Sequence, residues 1–101
     1  MAINIDSMLE EMNIPVAYGR MKERTPVPYI TWLGSGQNTA QADDTHYFRE
    51  NSYQIELYFK LKNPTLEDQL EQLLLDNGLL YDKSEDIYLE DEGIFMIYYD
   101  I

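Results

Sequence analysis

The sequence predicts an α+β domain: an antiparallel sheet of about four to five strands with two helices packed on it, in the order α-β-β-β-α-β-β. Three stretches carry that expectation. From Asn51 to Lys62, Tyr53, Ile55, Leu57, Phe59 and Leu61 alternate with Ser52, Gln54, Glu56, Tyr58 and Lys60. A period of two sends one set of side chains to each face of a strand. Residues 63–78 combine a leucine stripe with strong start and stop signals for a helix. Residues 79–101 hold two apolar, aromatic-rich runs on either side of a short turn.

At the amino end, Ser7-Met8-Leu9-Glu10 has the spacing of a capping box, a serine followed by a glutamate three residues on. Ile5, Met8, Leu9 and Met12 fall at helical spacing and form an apolar stripe. Pro15 is expected to end this helix, because proline lacks the N–H and biases Ile14 towards extended backbone. Val16-Ala17-Tyr18 follows as a short edge strand. Pro26 and Pro28 then force an extended approach to Tyr29-Ile30-Thr31-Trp32-Leu33, whose β-branched and aromatic residues suit a second strand. Residues 34–46, largely GSGQNTAQADDT, bury nothing apolar and are expected to form a mobile loop.

The Asn51–Lys62 strand needs a layer over its Tyr53, Ile55, Leu57, Phe59 face. The cover comes next in the chain. Asn63 as N-cap and Pro64 at the first helical position start a helix. Glu67, Asp68 and Glu71 place negative charge near its positive end, and Asn77-Gly78 stops it. Its Leu66, Leu70, Leu73 and Leu74 stripe is the partner expected for the strand. Leu79 to Glu90 reads as one extended segment, Asp91-Glu92-Gly93 as a turn, and Ile94 to Ile101 as a returning strand. That last strand is apolar on both faces, as in a strand covered on both sides or meeting another subunit.

A chain of 101 residues is one domain, 1–101, with room for a single core. It has no cysteine, which excludes disulfides and thiolate chemistry. No apolar run is long enough to span a bilayer, and the acidic start does not resemble a signal peptide. The net charge of −12 is uneven: residues 1–60 hold eight acids and five bases, residues 61–101 eleven acids and two bases. Such a field disfavours nucleic-acid backbones and anionic membranes and favours a locally basic protein partner. Neither direct sequence-specific nucleic-acid binding nor membrane association is expected.

Catalytic constellations are absent from the inventory. Gly34-Ser35-Gly36 lacks the lysine and following helix of a phosphate loop, and the four serines have no nucleophile-elbow context. Asp43, Asp44 and His46 could ligate a metal, but His46 is the only histidine and no further ligand is placed beside them, so no metal and no cofactor is expected. The acids from Asp82 to Glu92 fit a solvated, aggregation-resistant edge better than an acid–base pair. What remains is interaction chemistry. Arg20, Lys22 and Arg24 form the single basic cluster. Tyr47, Glu56, Tyr58 and Lys60 supply an amphipathic surface, Glu56, Tyr58 and Lys60 on the face of the central strand turned away from the core. These seven are the candidate interface residues. A non-enzymatic function is expected.

Pro15-Val16-Ala17-Tyr18-Gly19, Pro28-Tyr29-Ile30, Ala42-Asp43-Asp44 with Tyr47, and Tyr53-Gln54-Ile55-Glu56-Leu57-Tyr58 occur in that order, followed by an acidic leucine helix, Tyr81-Asp82-Lys83 and a tyrosine-rich terminal strand. Across nearly its whole length the chain resembles the small head–tail joining and tail-completion (tail terminator) proteins of long-tailed bacteriophages and prophages. The resemblance implies a sheet with helices packed on it and a homo-oligomeric ring, often hexameric. It also implies tail-tube or head-connector partners, a place at the head–tail junction of the virion after assembly in the host bacterial cytoplasm, and no catalytic residues. The alternative from charge alone is an acidic interaction protein that inhibits a DNA-binding enzyme by imitating the phosphate backbone.

Overall fold

The computed structural model describes the main chain of residues 4–42 and 46–101 and, except over 37–51, their side chains. The elements are α1 (Ile5–Glu10), β1 (Val16–Tyr18), β2 (Tyr29–Ala42), β3 (His46–Phe59), α2 (Pro64–Asp76), β4 (Asp82–Lys83), β5 (Ile87–Leu89) and β6 (Ile94–Asp100). The class is α+β. The sheet runs β1-β2-β3-β6, with β4 and β5 sharing the far edge of β6.

The core follows the alternation. Ile55, Leu57 and Phe59 of β3 lie beside Ile30 of β2 and Ile97 and Tyr99 of β6, and all six are buried. Ile5, Met8 and Leu9 of α1 and Leu66, Leu70 and Leu74 of α2 close over them. Leu73 packs at the margin, whereas Leu61, beyond the end of β3, is exposed. Trp32 donates from Nε1 to Asp6 Oδ1 at 3.3 Å, which ties α1 to β2. Both helices therefore cover one face of the sheet and leave the other open.

Helix α2 begins and ends as its sequence requires. Asn63 Oδ1 accepts from the Leu66 amide at 3.2 Å, and Gly78 takes the left-handed conformation at φ 74. The first helix differs from expectation at both ends. Its N-cap is Asn4, whose side chain accepts from the Ser7 amide at 3.1 Å, so Ser7 is helical and not the cap. The helix stops at Glu10, with Asn13 at positive φ, before Pro15 can act on it.

Three sheet features correct the sequence reading. The sheet has six strands and is mixed, because β1 runs parallel to β2 with Val16 opposite Ile30 and Tyr18 opposite Trp32. A parallel neighbour requires a crossover, here 19–28, long enough to return the chain to the same end of the sheet. The segment expected as one strand from Leu79 to Glu90 is split. Beside the break, Ser84 pairs with Tyr98, its amide donating to the Tyr98 carbonyl and its Oγ accepting from the Tyr98 amide, each at 2.9 Å.

The third correction concerns the loop expected over 34–46. Gly34–Ala42 continues β2, and β3 already begins at His46, leaving only 43–45 outside the described residues. Beyond an irregularity at Gly34/Gly36, with Gly36 at φ +110, seven further residue pairs run from Gly36–Ser52 to Ala42–His46. A ladder of backbone hydrogen bonds needs no apolar side chain, so a polar stretch can extend a register already fixed by the core half. The molecule is accordingly long, 49 × 27 × 25 Å.

Candidate interaction surface

The open face of the sheet is where β2 and β3 place their second set of side chains. Tyr29 lies opposite Tyr58, and Thr31 opposite Glu56. The two tyrosine rings stack with centroids 4.8 Å apart and an interplanar angle of 27°, a pairing that adds to sheet stability. Thr31 Oγ1 donates to Glu56 Oε1 at 3.2 Å and the Tyr58 hydroxyl donates to Glu56 Oε2 at 3.3 Å. Glu56 thus accepts from both neighbours and fixes the tilt of Tyr58. Burial, reinforced by the Glu56 charge, pushes the Tyr58 hydroxyl up to about 12. Tyr29 is also raised, by burial first and then by Glu92 and Glu56.

Two segments rise beside this floor and make it a groove. Arg20, Arg24 and Thr25 of the crossover stand on one side, Asp91 and Glu92 of the β5–β6 turn on the other, with Lys60 at the end of β3. The turn is shaped by Gly93 at φ +68, whose amide donates to the Leu89 carbonyl at 2.8 Å. The groove has an aromatic floor and walls of opposite charge, a combination suited to holding another polypeptide.

Of the sequence-predicted residues, the fold brings Arg20, Arg24, Glu56, Tyr58 and Lys60 to this one surface. Lys22 lies on the same crossover but borders a different hollow, next to Tyr18 and Trp32. Tyr47 pairs through its main chain with Gln41 in the outer hairpin; its side chain lies outside the described residues, as do those of Asp43, Asp44 and His46. Sequence reasoning missed Tyr29 and Thr31 as partners of Tyr58 and Glu56. The signal was their odd-numbered alternation in β2, which becomes informative only once the β2–β3 register is known.

It also missed an ionic cluster built around one buried glutamate on the helix-covered face. Glu67 is only 4% exposed. Lys83 Nζ lies 3.0 Å from Glu67 Oε1 and 2.8 Å from Glu71 Oε2. Lys62 Nζ reaches Glu67 Oε2 at 2.8 Å, an ion pair without hydrogen-bond geometry at that oxygen, and Asp86 Oδ1 at 3.1 Å. Tyr99 and Tyr81 donate their hydroxyls to Glu71 at 2.9 and 3.1 Å. Burial alone would raise the Glu71 carboxyl, but hydrogen bonds from Lys83, Tyr99 and Tyr81 outweigh it and hold the group below its ordinary range. Burial likewise opposes the Lys83 charge, and Glu71 and Glu67 overcome it and lift Lys83 above the ordinary lysine value. This cluster fastens α2 to the β4–β6 side of the sheet. The spacing Glu67–Glu71, flanking the leucine stripe, was its visible trace.

Comparison with protein-family models and with curated proteins finds no match to this chain. Among the described residues, no helix is long and apolar enough to cross a membrane.

Proposed function

We propose that this protein is a structural, ring-forming morphogenesis component of a long-tailed bacteriophage or prophage, a tail terminator or head–tail joining protein that acts by assembly and not by catalysis. The observation that carries the reading is the outer β2–β3 hairpin. Its seven residue pairs from Gly36–Ser52 to Ala42–His46 extend past the strands that flank the inner half, since β1 pairs only with Ile30–Trp32 on the β2 side and β6 only with Gln54–Phe59 on the β3 side. A two-stranded ribbon is marginal by itself and gains most when a neighbouring subunit or a tail-tube or connector protein supports it. The open groove over Tyr29 and Tyr58 supplies a second contact surface on the same chain.

The test is complementation of a phage deleted for this chain, using a variant in which residues 38–50 are replaced by Asn-Gly between Gln37 and Asn51. Full heads and finished tails that remain unjoined, with the shortened protein still folded, support the reading. Normal yields of joined virions with the deletion uncomplemented would remove it.

A further inference from the structure

We propose that copies of this chain associate head to tail through the two edges of the sheet, the β1 edge of one copy meeting the β4–β5 edge of the next. This deepens the ring-forming reading and rests on it for its biological setting. Three observations converge on the contact.

The first is charge. The β1 edge is followed directly by the crossover 19–28, with three bases and one acid, net +2. The opposite edge is the segment 82–90, with four acids and one base, net −3; Asp91 and Glu92, just beyond it, border the groove that Arg20 and Arg24 line on the same chain. Among the described residues, no ion pair engages Arg20, Lys22 or Arg24, while on the acidic edge Lys83 is held by Glu67 and Glu71 and Asp86 by Lys62, which leaves Asp82, Glu85 and Glu90 outside any ion pair. A two-fold contact would set like edges together, base on base or acid on acid. Only the head-to-tail contact matches opposite signs.

The second is strand direction. β1 and β2 run parallel, and each further step across the sheet is antiparallel. β1 therefore runs opposite to β4 and β5. When copies are related by rotation about a ring axis parallel to the strands, β1 of one lies antiparallel to β4–β5 of its neighbour, the geometry that a sheet most readily continues. The third is exposed aromatic surface. Tyr18 on β1 is 65% exposed and Tyr88 on β5 is 53% exposed. Each leans on a ring of the helix-covered face, Tyr18 on Trp32 and Tyr88 on Phe95. Both edges thus present an aromatic on the same side of the sheet.

The absence of cysteine makes the test clean. Single-cysteine variants Y18C, E85C and Y88C are mixed pairwise and bridged with a short bismaleimide, with Q69C on the outside of α2 as control. Heterodimers of Y18C with E85C or Y88C, well above Y18C homodimers and above any pair containing Q69C, are the expected result. Predominant Y18C homodimers, or no heterodimer above the control, would overturn the proposal. Charge swaps supply a second readout by sedimentation velocity. R20E/K22E/R24E and D82K/E85K/E90K should each weaken self-association at least about tenfold, and mixing the two should restore it. Failure of the mixture to associate counts against the contact, with circular dichroism confirming that each variant is folded. Cross-linking separates the edge contact from the proposed function: edge heterodimers without a joining defect in the deletion phage refute only the phage reading. Normal complementation without edge heterodimers refutes only the contact.

Discussion

The inner and outer halves of the β2–β3 hairpin share one backbone ladder, yet they are held in place by different physics. The inner half lies between β1 and β6, and its alternate side chains Ile30, Ile55, Leu57 and Phe59 are buried beneath two helices. The outer half, from Gly36–Ser52 to Ala42–His46, has the paired backbone but, among the described residues, no third strand beside it. Burial of apolar area supplies most of the net stability of a fold, whereas backbone hydrogen bonds largely replace bonds to water. A hairpin can therefore be anchored by one half and extended by the other. The anchored half defines the fold, and the extended half is available for a partner.

Substitutions can test that division, beginning where the effect should be largest. Leu57→Ala removes a fully buried side chain at the centre of the inner half and should cost about 2–5 kcal/mol of unfolding free energy in urea titration. A smaller loss, equal to that of an outer-half change, would abolish the distinction.

Next comes the ionic cluster that holds α2 over the inner half. Glu71→Gln should cost about 1–3 kcal/mol at neutral pH, because Lys83 and Tyr99 lose a charged acceptor. The sign with pH follows from the depressed Glu71 carboxyl. Its contribution is fully present above the unfolded carboxylate value and is lost as pH falls through the lower folded value. Urea midpoints measured from pH 7 downward should drop more steeply for the natural chain than for Glu71→Gln.

Tyr58 lies between the two regimes, on the open face of the inner half. Tyr58→Ala gives up its stack on Tyr29, about 0.5–1.5 kcal/mol beyond lost area, and should weaken assembly of joined virions more than folding. Equal losses would return that face to the core. Its hydroxyl, raised to about 12, also makes an alkaline prediction. The associated stability is intact below the unfolded tyrosine value near 10 and is lost as pH rises from there through about 12. In ultraviolet titration of the folded chain, Tyr58→Phe should remove a late-ionising tyrosine. The smallest effect on folding is expected from shortening the hairpin between Gln37 and Asn51, less than about 1 kcal/mol, despite the loss of assembly proposed above.

Much of the inner half was legible in advance. The Tyr53–Phe59 alternation, the Asn63-Pro64 start, the Asn77-Gly78 stop and the Leu66–Leu74 stripe each depend on residues only a few positions apart. Those signals became the buried strand and the helix over it. The outer half looks like a loop in sequence because its composition is polar and rich in turn formers, and side-chain patterns do not report a ladder made by the backbone. Part of the candidate surface was legible as well: Glu56, Tyr58 and Lys60 follow from strand parity, and Arg20 and Arg24 from clustering. Their meeting with Tyr29, Thr31, Asp91 and Glu92 required the register and the crossover.

Local patterns along the chain suffice to specify the α+β class, the central strand, the second helix, most of the core residues and the imbalance of charge between the two halves of the chain. Contacts across the fold were needed to show that β1 runs parallel to β2, that the polar stretch after Leu33 is a strand, and that a buried Glu67 and a half-buried Glu71 hold Lys83. The tertiary structure also decided that the basic crossover follows the strand at one edge of the sheet and that the acidic segment 82–90 forms the other. The reason is range. Alternation, capping and helical stripes arise from neighbours along the chain, whereas strand direction, edge position and ion pairing arise between residues tens of positions apart, where many pairings satisfy the same local pattern.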